Sequence, residues 1–324
     1  MEPRNPRDMQ GLLKFCIEAT KGEDVISDDP EGALASMDPQ RREWLEQALS
    51  SMSVDVIKEL TEGIKILNSK CVRDANAVQD DIEKVEYAFE CISDWVDQID
   101  MANNFHKIGG FESLKSCLDS PHKTIRSGSA NAIAELSQNN PYCQERFVEE
   151  DFIPKLLDII ANDKDCQVKA MYAVSCINRD SPMAQEKFLT KNGASIIMNA
   201  CTSENEKMRI KSCFFISSLC EENEAVKKAF VDMGIARQLV TLMQMEDHSP
   251  SHEHMTRALL VVLRGNTNVK DELVNSSELK FKEFLMERQS LVRGKEEFEE
   301  ENQYLSEIVK ECYGNLDSNK SVDR

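Results

Sequence analysis

The chain has 324 residues and a formal net charge of −19, with 41% hydrophobic but only 6% aromatic residues. A chain this acidic repels phosphate groups, and nucleic-acid affinity depends largely on Lys and Arg that neutralise them, so the composition argues against nucleic acids and anionic membranes as partners. The hydrophobic content predicts a soluble globular protein with an ample core, and the scarcity of aromatics and glycines favours helices over a β-sandwich or barrel.

Residues 1–37 are predicted to form a short amphipathic helix followed by a flexible acidic linker. The helix covers residues 9–20, and its apolar side carries Leu12, Leu13, Cys16 and Ile17. The linker, from 21 to 37, contains glycine and proline, which interrupt regular structure. The first residues hold no apolar stretch typical of a secretory signal, which favours the cytosol, with the nucleus as a second location.

Residues 38–100 are predicted to form a helical N-terminal cap. Asp38 can cap a helix whose first turn accommodates Pro39. Further along, Val85, Phe89, Ile92 and Val96 recur at three- and four-residue spacing, so that one stripe of this helix faces a core.

A repeated phenylalanine is the main signal of the fold. Phe105, Phe147, Phe188 and Phe230 stand in similar short phrases, spaced 42, 41 and 42 residues apart. A period of this length in helical sequence is typical of armadillo and HEAT arrays, whose units stack into a superhelix with a concave binding surface. We therefore predict an all-α, armadillo-like right-handed superhelix with four repeats over 101–267, and binding rather than catalysis as its function.

Each repeat is read as a short first helix, a turn, a second helix, a polar loop and a longer third helix. In the third copy the turn is Asn192-Gly193, where glycine would accept the left-handed backbone that ends a helix. The second copy has Asp151-Phe152 at this place, so a different turn is expected there.

The third helices carry the candidate contact residues. Lys169 and Lys211 share one column of the repeat, and in armadillo stacks this helix lines the concave groove. With Arg126 and Arg257 they would form a basic ridge that contacts a partner; the alternative is that these are solvated surface residues. From helical phase we predict concave-face contacts at Arg126, Asn131, Lys169, Tyr172, Lys211, Phe215 and Arg257. Trp44 and Trp95 are the only tryptophans and precede the repeats, so these helices lack the tryptophan ladder that import receptors use for basic peptides.

Beyond the repeats, residues 268–314 are predicted to form a helical C-terminal cap and 315–324 a disordered tail. The fourth copy is expected to decay into a partial repeat at Val269–Val274. One long charged helix should follow over about 278–313, broken or kinked at Gly294.

Motifs for catalysis or metal binding do not stand out. Eleven cysteines without a C-x-x-C pair are typical of reduced core residues. His252 and His254 are two residues apart, so they face different sides of a helix and make a poor metal site. Acidic runs such as Glu299–Glu301 are typical of a solvated helix face. We expect no enzyme activity, cofactor or metal, and the negative charge either maintains solubility or steers a basic partner patch.

Both ends of the chain resemble a known family. Segments along the chain are similar to segments of the armadillo-type nucleotide-exchange factors for 70-kDa heat-shock chaperones: Pro6–Leu13, Arg41–Ala48, Asp94–Phe105, Val168–Ile177, His252–His254 and the tail Glu299–Cys312. The resemblance covers nearly the whole chain. The acidic linker at 21–37 departs from the family pattern.

The resemblance implies a co-chaperone that wraps its concave face around the chaperone's nucleotide-binding domain and promotes ADP release, regulating client release. It also implies a client-release element at Gln10, Gly11, Leu12 and Leu13. The protein is expected to be a monomer. The alternative interpretation is a different armadillo scaffold, such as an adaptor or inhibitor of a ubiquitin ligase.

Overall fold

The computed structural model describes residues 56–314, and the regular structure in this range is entirely helical. Seventeen α-helices and two short 3₁₀ helices follow one another there, with no strand among them. The N-terminal helix and linker, the Trp44 helix, the element Gln10–Leu13 and the C-terminal tail lie outside the described residues.

The described chain begins with the second part of the N-terminal cap. Helix α1 (Val56–Leu67) leads through the 3₁₀ turn Lys70–Val72 into α2 (Gln79–Val96). The predicted apolar stripe of α2 is confirmed, since all four of its residues are buried: Val85, Phe89, Ile92 and Val96.

Four units of three helices follow, as the period predicts. The first unit contains α3 (Ile99–Lys107), α4 (Gly110–Cys117) and α5 (Lys123–Ser137). The second contains α6 (Pro141–Glu149), α7 (Phe152–Asn162) and α8 (Gln167–Asn178). The third contains α9 (Pro182–Thr190), α10 (Gly193–Ala200) and α11 (Glu206–Glu222). The fourth contains α12 (Glu224–Asp232), α13 (Ile235–Met245) and α14 (Ser251–Leu263).

The repeated phenylalanine lies in the core of every unit. Phe105, Phe147, Phe188 and Phe230 are each 0% exposed. Phe147 stacks on Phe111 with 3.9 Å between ring centroids, so aromatic contact also connects the first two units. The repeated phenylalanine is therefore a core residue of each unit.

One left-handed residue separates the first and second helices of each unit. It is Gly109, Asp151, Asn192 or Gly234, with φ of 89°, 59°, 60° and 79°. Our expectation of a different turn in the second unit was wrong, because an aspartate tolerates this conformation when glycine is absent.

In the third unit the glycine has another task. Asn192, not Gly193, is left-handed. A Cβ on Gly193 would lie 2.3 Å from the ring of Phe188, so this position needs the smallest residue for close packing. Gly110 has the same relation to Phe105.

The C-terminal region forms a fifth unit of three helices, which corrects the expected partial copy. The predicted break of the long charged helix at Gly294 is confirmed, because one helix ends before this residue and another begins after it. The fifth unit contains α15 (Thr267–Asn275), α16 (Phe281–Val292) and α17 (Glu299–Tyr313). Leu273, 0% exposed, takes the phenylalanine position, and Lys280 is the left-handed residue with φ 44°. Gly294, with φ 76°, lies in the break between α16 and α17.

The third helices form a continuous layer through the molecule. Helices α2, α5, α8, α11, α14 and α17 pack successively, each on the next. Within residues 56–314 no helix is both long and apolar enough to cross a membrane.

Candidate partner-binding face

One surface of this layer carries a row of polar and aromatic side chains. We call it the third-helix face and define it by six residues: Asn131, Lys169, Tyr172, Lys211, Phe214 and Arg257. The repeat period aligns Asn131 with Tyr172 and Phe214, one on each of α5, α8 and α11. Each of these three is at least partly exposed, so the face is available for contact.

A basic side chain on each of α8, α11 and α14 contacts the aligned residue on the preceding third helix. The Nζ of Lys169 is 2.7 Å from Oδ1 of Asn131 and donates to it. The Nζ of Lys211 is 4.9 Å from the ring centroid of Tyr172. The guanidinium of Arg257 is 5.7 Å from the centroid of Phe214. Each pair of consecutive third helices is thus joined by a basic side chain, once through a hydrogen bond and twice through a cation–π contact.

The three cations differ in their counter-charges. Arg257 has an acidic neighbour, with 3.4 Å between its Nη2 and Oε2 of Glu221. Among residues 56–314, neither Lys169 nor Lys211 forms an ion pair with a carboxylate. Burial lowers the pKa of the Lys211 ammonium, and the positive charge of Lys169 also acts to lower it.

Arg126, the first residue of the predicted ridge, connects repeats instead. Its Nε donates to Oδ2 of Asp163 at 2.6 Å, and its Nη1 donates to the carbonyls of Ser120 and Pro121. Arg209, in the same column two units later, makes the equivalent contacts with the carbonyls of Ser203 and Glu204 and with the Glu246 carboxylate. These arginines connect neighbouring loops, so the guanidinium of Arg126 is already engaged within the protein and is not part of the third-helix face.

The assignment of Phe215 to the contact surface was wrong. Phe215 is 1% exposed and packs edge-on against Phe188, with 5.4 Å between ring centroids. Its neighbour Phe214 is 37% exposed and lies on the face. The repeat period contained this signal, because it aligns Phe214 with the partly exposed Tyr172 and Phe215 with the buried Ala173.

The two candidate metal-binding histidines lie at the start of α14. His252 is 0% exposed, and its Nδ1 accepts from the backbone N–H of Ser249 at 2.9 Å. Burial lowers the pKa of His252 to about 4, and the nearby Arg288 also acts to lower it. The residue therefore packs as a neutral imidazole at the helix start.

Two family models match the chain and meet at the first repeat. The model described as nucleotide exchange factor Fes1 matches residues 9–105, and the SIL1/FES1/HPBP1 C-terminal domain matches residues 101–236. The chain belongs to the SIL1/FES1/HPBP1 family. The family resemblance at the sequence level is thereby confirmed, in the N-terminal segment and in the repeats.

Named members of this family align with the chain over different lengths. Hsp70-binding protein 1 of Mus musculus is 28% identical over 330 residues, which cover 99% of this chain and 90% of that protein. The Hsp70 nucleotide exchange factor FES1 of Yarrowia lipolytica is 25% identical over 185 residues, covering 56% of this chain and 66% of that protein.

The fold is similar to that of solved armadillo proteins. A designed armadillo repeat protein in complex with the peptide (KR)4 superposes with a TM-score of 0.62 and 17% identity, covering 78% of this chain and 99% of that chain. At this identity the likeness concerns the fold alone. The all-α, armadillo-like fold class is confirmed, and in this fold the third helices line the concave surface.

Proposed function

We propose that this protein is a co-chaperone that binds the nucleotide-binding domain of a 70-kDa heat-shock chaperone and promotes the release of ADP. The observation that carries this proposal is the alignment with Hsp70-binding protein 1 over 99% of the chain. The Fes1 match at residues 9–105 supports the same activity, because that model describes a nucleotide exchange factor.

The third-helix face is the surface we propose for the chaperone. We propose that it lies on the concave side of the fold. It runs across four successive third helices, an extent that suits contact with the surface of a folded domain. Of the residues predicted from sequence, we retain Asn131, Lys169, Tyr172, Lys211 and Arg257. Phe214 replaces Phe215 because its ring is exposed.

The mechanism follows from linkage between two ligands of one chaperone domain. A partner that binds the open, nucleotide-poor form more tightly than the closed form shifts the domain towards the open form. ADP then binds less tightly and leaves sooner. The protein needs no reactive group for this, so we propose a non-enzymatic function.

A stopped-flow measurement of labelled ADP leaving the chaperone tests the proposal. Saturating protein should raise the release rate well above the spontaneous rate. An unchanged rate at saturating concentration, with binding shown separately, would refute the exchange function. Stable association with a ubiquitin ligase without an effect on ADP release would favour the alternative scaffold function, for which the relatives' names offer no support.

The remaining expectations are part of the same proposal. We propose a cytosolic monomer in which Gln10, Gly11, Leu12 and Leu13 contribute to client release. Fractionation of cells and analytical ultracentrifugation would test the first two, and a client-release assay with these four residues changed to Ser would test the third.

A further inference from the structure

Lys169 and Lys211 differ from the other predicted cations of the concave face, because neither forms an ion pair with a carboxylate within residues 56–314. The other basic side chain of the third-helix face, Arg257, lies near Glu221, and Arg126 is held by Asp163. Within residues 56–314 the recorded contacts of the Lys169 and Lys211 amines are neutral groups: the amide oxygen of Asn131 and the ring of Tyr172. The pair is therefore a local concentration of positive charge that is not compensated by a direct ion pair in this part of the chain.

The two lysines lie on neighbouring third helices, α8 and α11, and on the same face. Lys169 and Tyr172 are three residues apart on α8, so their side chains are neighbours on one helix surface. The Nζ of Lys211 reaches from α11 to the ring of Tyr172. The positive charge of Lys169 acts to lower the pKa of the Lys211 ammonium, so the two charges repel each other across the face.

The carboxylate of Glu135 lies beyond Asn131 and does not pair directly with either lysine. The Asn131 amide that accepts from Lys169 donates on its other side to Oε1 of Glu135 at 2.6 Å. Oε2 of Glu135 accepts from the hydroxyl of Ser93 at 2.5 Å. The nearest acid on this path is thus engaged by α2 and α5, and Asn131 separates it from Lys169.

We propose that Lys169 and Lys211 together receive one carboxylate side chain of the partner, with Tyr172 as the floor of the site. The inference rests on the proposed function, since the partner is the chaperone's nucleotide-binding domain. An Asp or Glu that enters between the two ammonium groups removes their mutual repulsion and makes charge-assisted hydrogen bonds to both. The pair then favours a chaperone surface with an acidic residue at this position, and it fixes the relative placement of the two proteins.

Substitution of each lysine by Gln tests the inference in the full chain. Each single variant should weaken binding to the chaperone domain about tenfold or more, as for other hydrogen bonds to charged groups. The double variant should deviate at least threefold from the product of the two single effects, because both residues hold the same group. Its binding should also depend less on salt concentration. The pair Lys169→Arg and Lys211→Arg keeps both charges and should retain most of the affinity.

Lys228→Gln is the matched control. This lysine lies on α12, and its Nζ pairs with Asp232 at 2.6 Å, so its loss should leave both the affinity and its salt dependence as in the wild type. An equal loss of affinity in Lys228→Gln would mean that net charge alone matters, and would overturn the inference.

Charge reversal identifies the carboxylate. The double variant Lys169→Glu and Lys211→Glu should lose binding, and one Asp→Lys or Glu→Lys substitution in the chaperone domain should restore it. If none of the domain's exposed acids restores binding, the inference fails. The measurements are made with nucleotide-free and ADP-bound domain, because a loss confined to the ADP-bound form would identify a nucleotide phosphate as the anion and overturn the carboxylate.

The result separates the inference from the proposed function. If wild-type protein accelerates ADP release but the Gln variants bind as tightly as the wild type, only the inference is refuted. If wild-type protein binds without accelerating release, the exchange function is refuted, whatever the lysines contribute.

Discussion

The turn between the first and second helices needs one residue with a left-handed backbone and, in the third unit, a second residue without a side chain. The sequence alone suggests a single glycine for both. Asn192-Gly193 looks like a turn in which glycine supplies the left-handed backbone. In the structure, Asn192 has φ 60° and Gly193 packs directly on Phe188. The sequence pattern could locate the turn but could not assign the tasks, because the close contact comes from a side chain five residues away.

These different roles predict different effects on stability for substitutions at Gly193 and Asn192. Gly193→Ala places a methyl group 2.3 Å from the Phe188 ring and 2.7 Å from its carbonyl oxygen, so it should lower the free energy of unfolding by about 1–3 kcal/mol. Asn192→Gly keeps the left-handed backbone and should change stability by less than about 1 kcal/mol. Urea unfolding of both variants measures the difference, and equal stabilities would contradict this assignment.

At the scale of helices, the C-terminal unit was harder to predict than the four before it. Its phenylalanine is replaced by Leu273 and its left-handed residue is Lys280, so the sequence retains neither marker of the repeat. The helix contacts nevertheless repeat, since α17 packs on α14 as α14 packs on α11. Packing preserves the unit where residue identity does not.

A buried charged cluster attaches this fifth unit to the fourth. Glu301 of α17 is 1% exposed, so the expected solvated face was wrong for this residue. Its Oε2 is 2.8 Å from Nε2 of His248, and its Oε1 is 3.5 Å from Nη2 of Arg288. His248 precedes α14, and its ring packs edge-on against Phe298 with 4.5 Å between centroids. The cluster therefore joins the loop before α14 to both later helices of the fifth unit.

Removal of one partner from this cluster should be costly. Glu301→Leu leaves Arg288, itself 7% exposed, as a buried charge without its carboxylate, and should destabilise the protein by about 3–5 kcal/mol. The double variant Glu301→Leu and Arg288→Met removes both charges and should recover much of this loss. Thermal unfolding and hydrogen exchange of α17 measure the effect. A double variant as unstable as the single one would show that the pair itself, rather than the unpaired charge, determines stability.

At the scale of the whole molecule, the period predicted the array and the ends of the chain predicted the family. Periodicity could place Lys169 and Lys211 on the third helices, since helical phase is a local property. It could not show that Arg126 forms an ion pair with Asp163, because that contact joins residues 37 positions apart in different units. The composition shows the net charge but could not locate the Lys169 and Lys211 pair, which depends on how neighbouring third helices align.

The exchange function also makes a thermodynamic prediction that involves the whole complex. If the protein lowers the affinity of the chaperone domain for ADP by a given factor, ADP must lower the affinity for the protein by the same factor. Factors of about 5–150 are typical of such coupling. Calorimetric titration of the domain with the protein, with and without ADP, should give the same ratio as titration with ADP, with and without the protein. A chaperone domain altered so that it cannot bind ADP provides the control, because added ADP should leave its affinity for the protein unchanged. A ratio of one in both titrations would refute the coupling, and any faster ADP release would then come from a contact formed only during release.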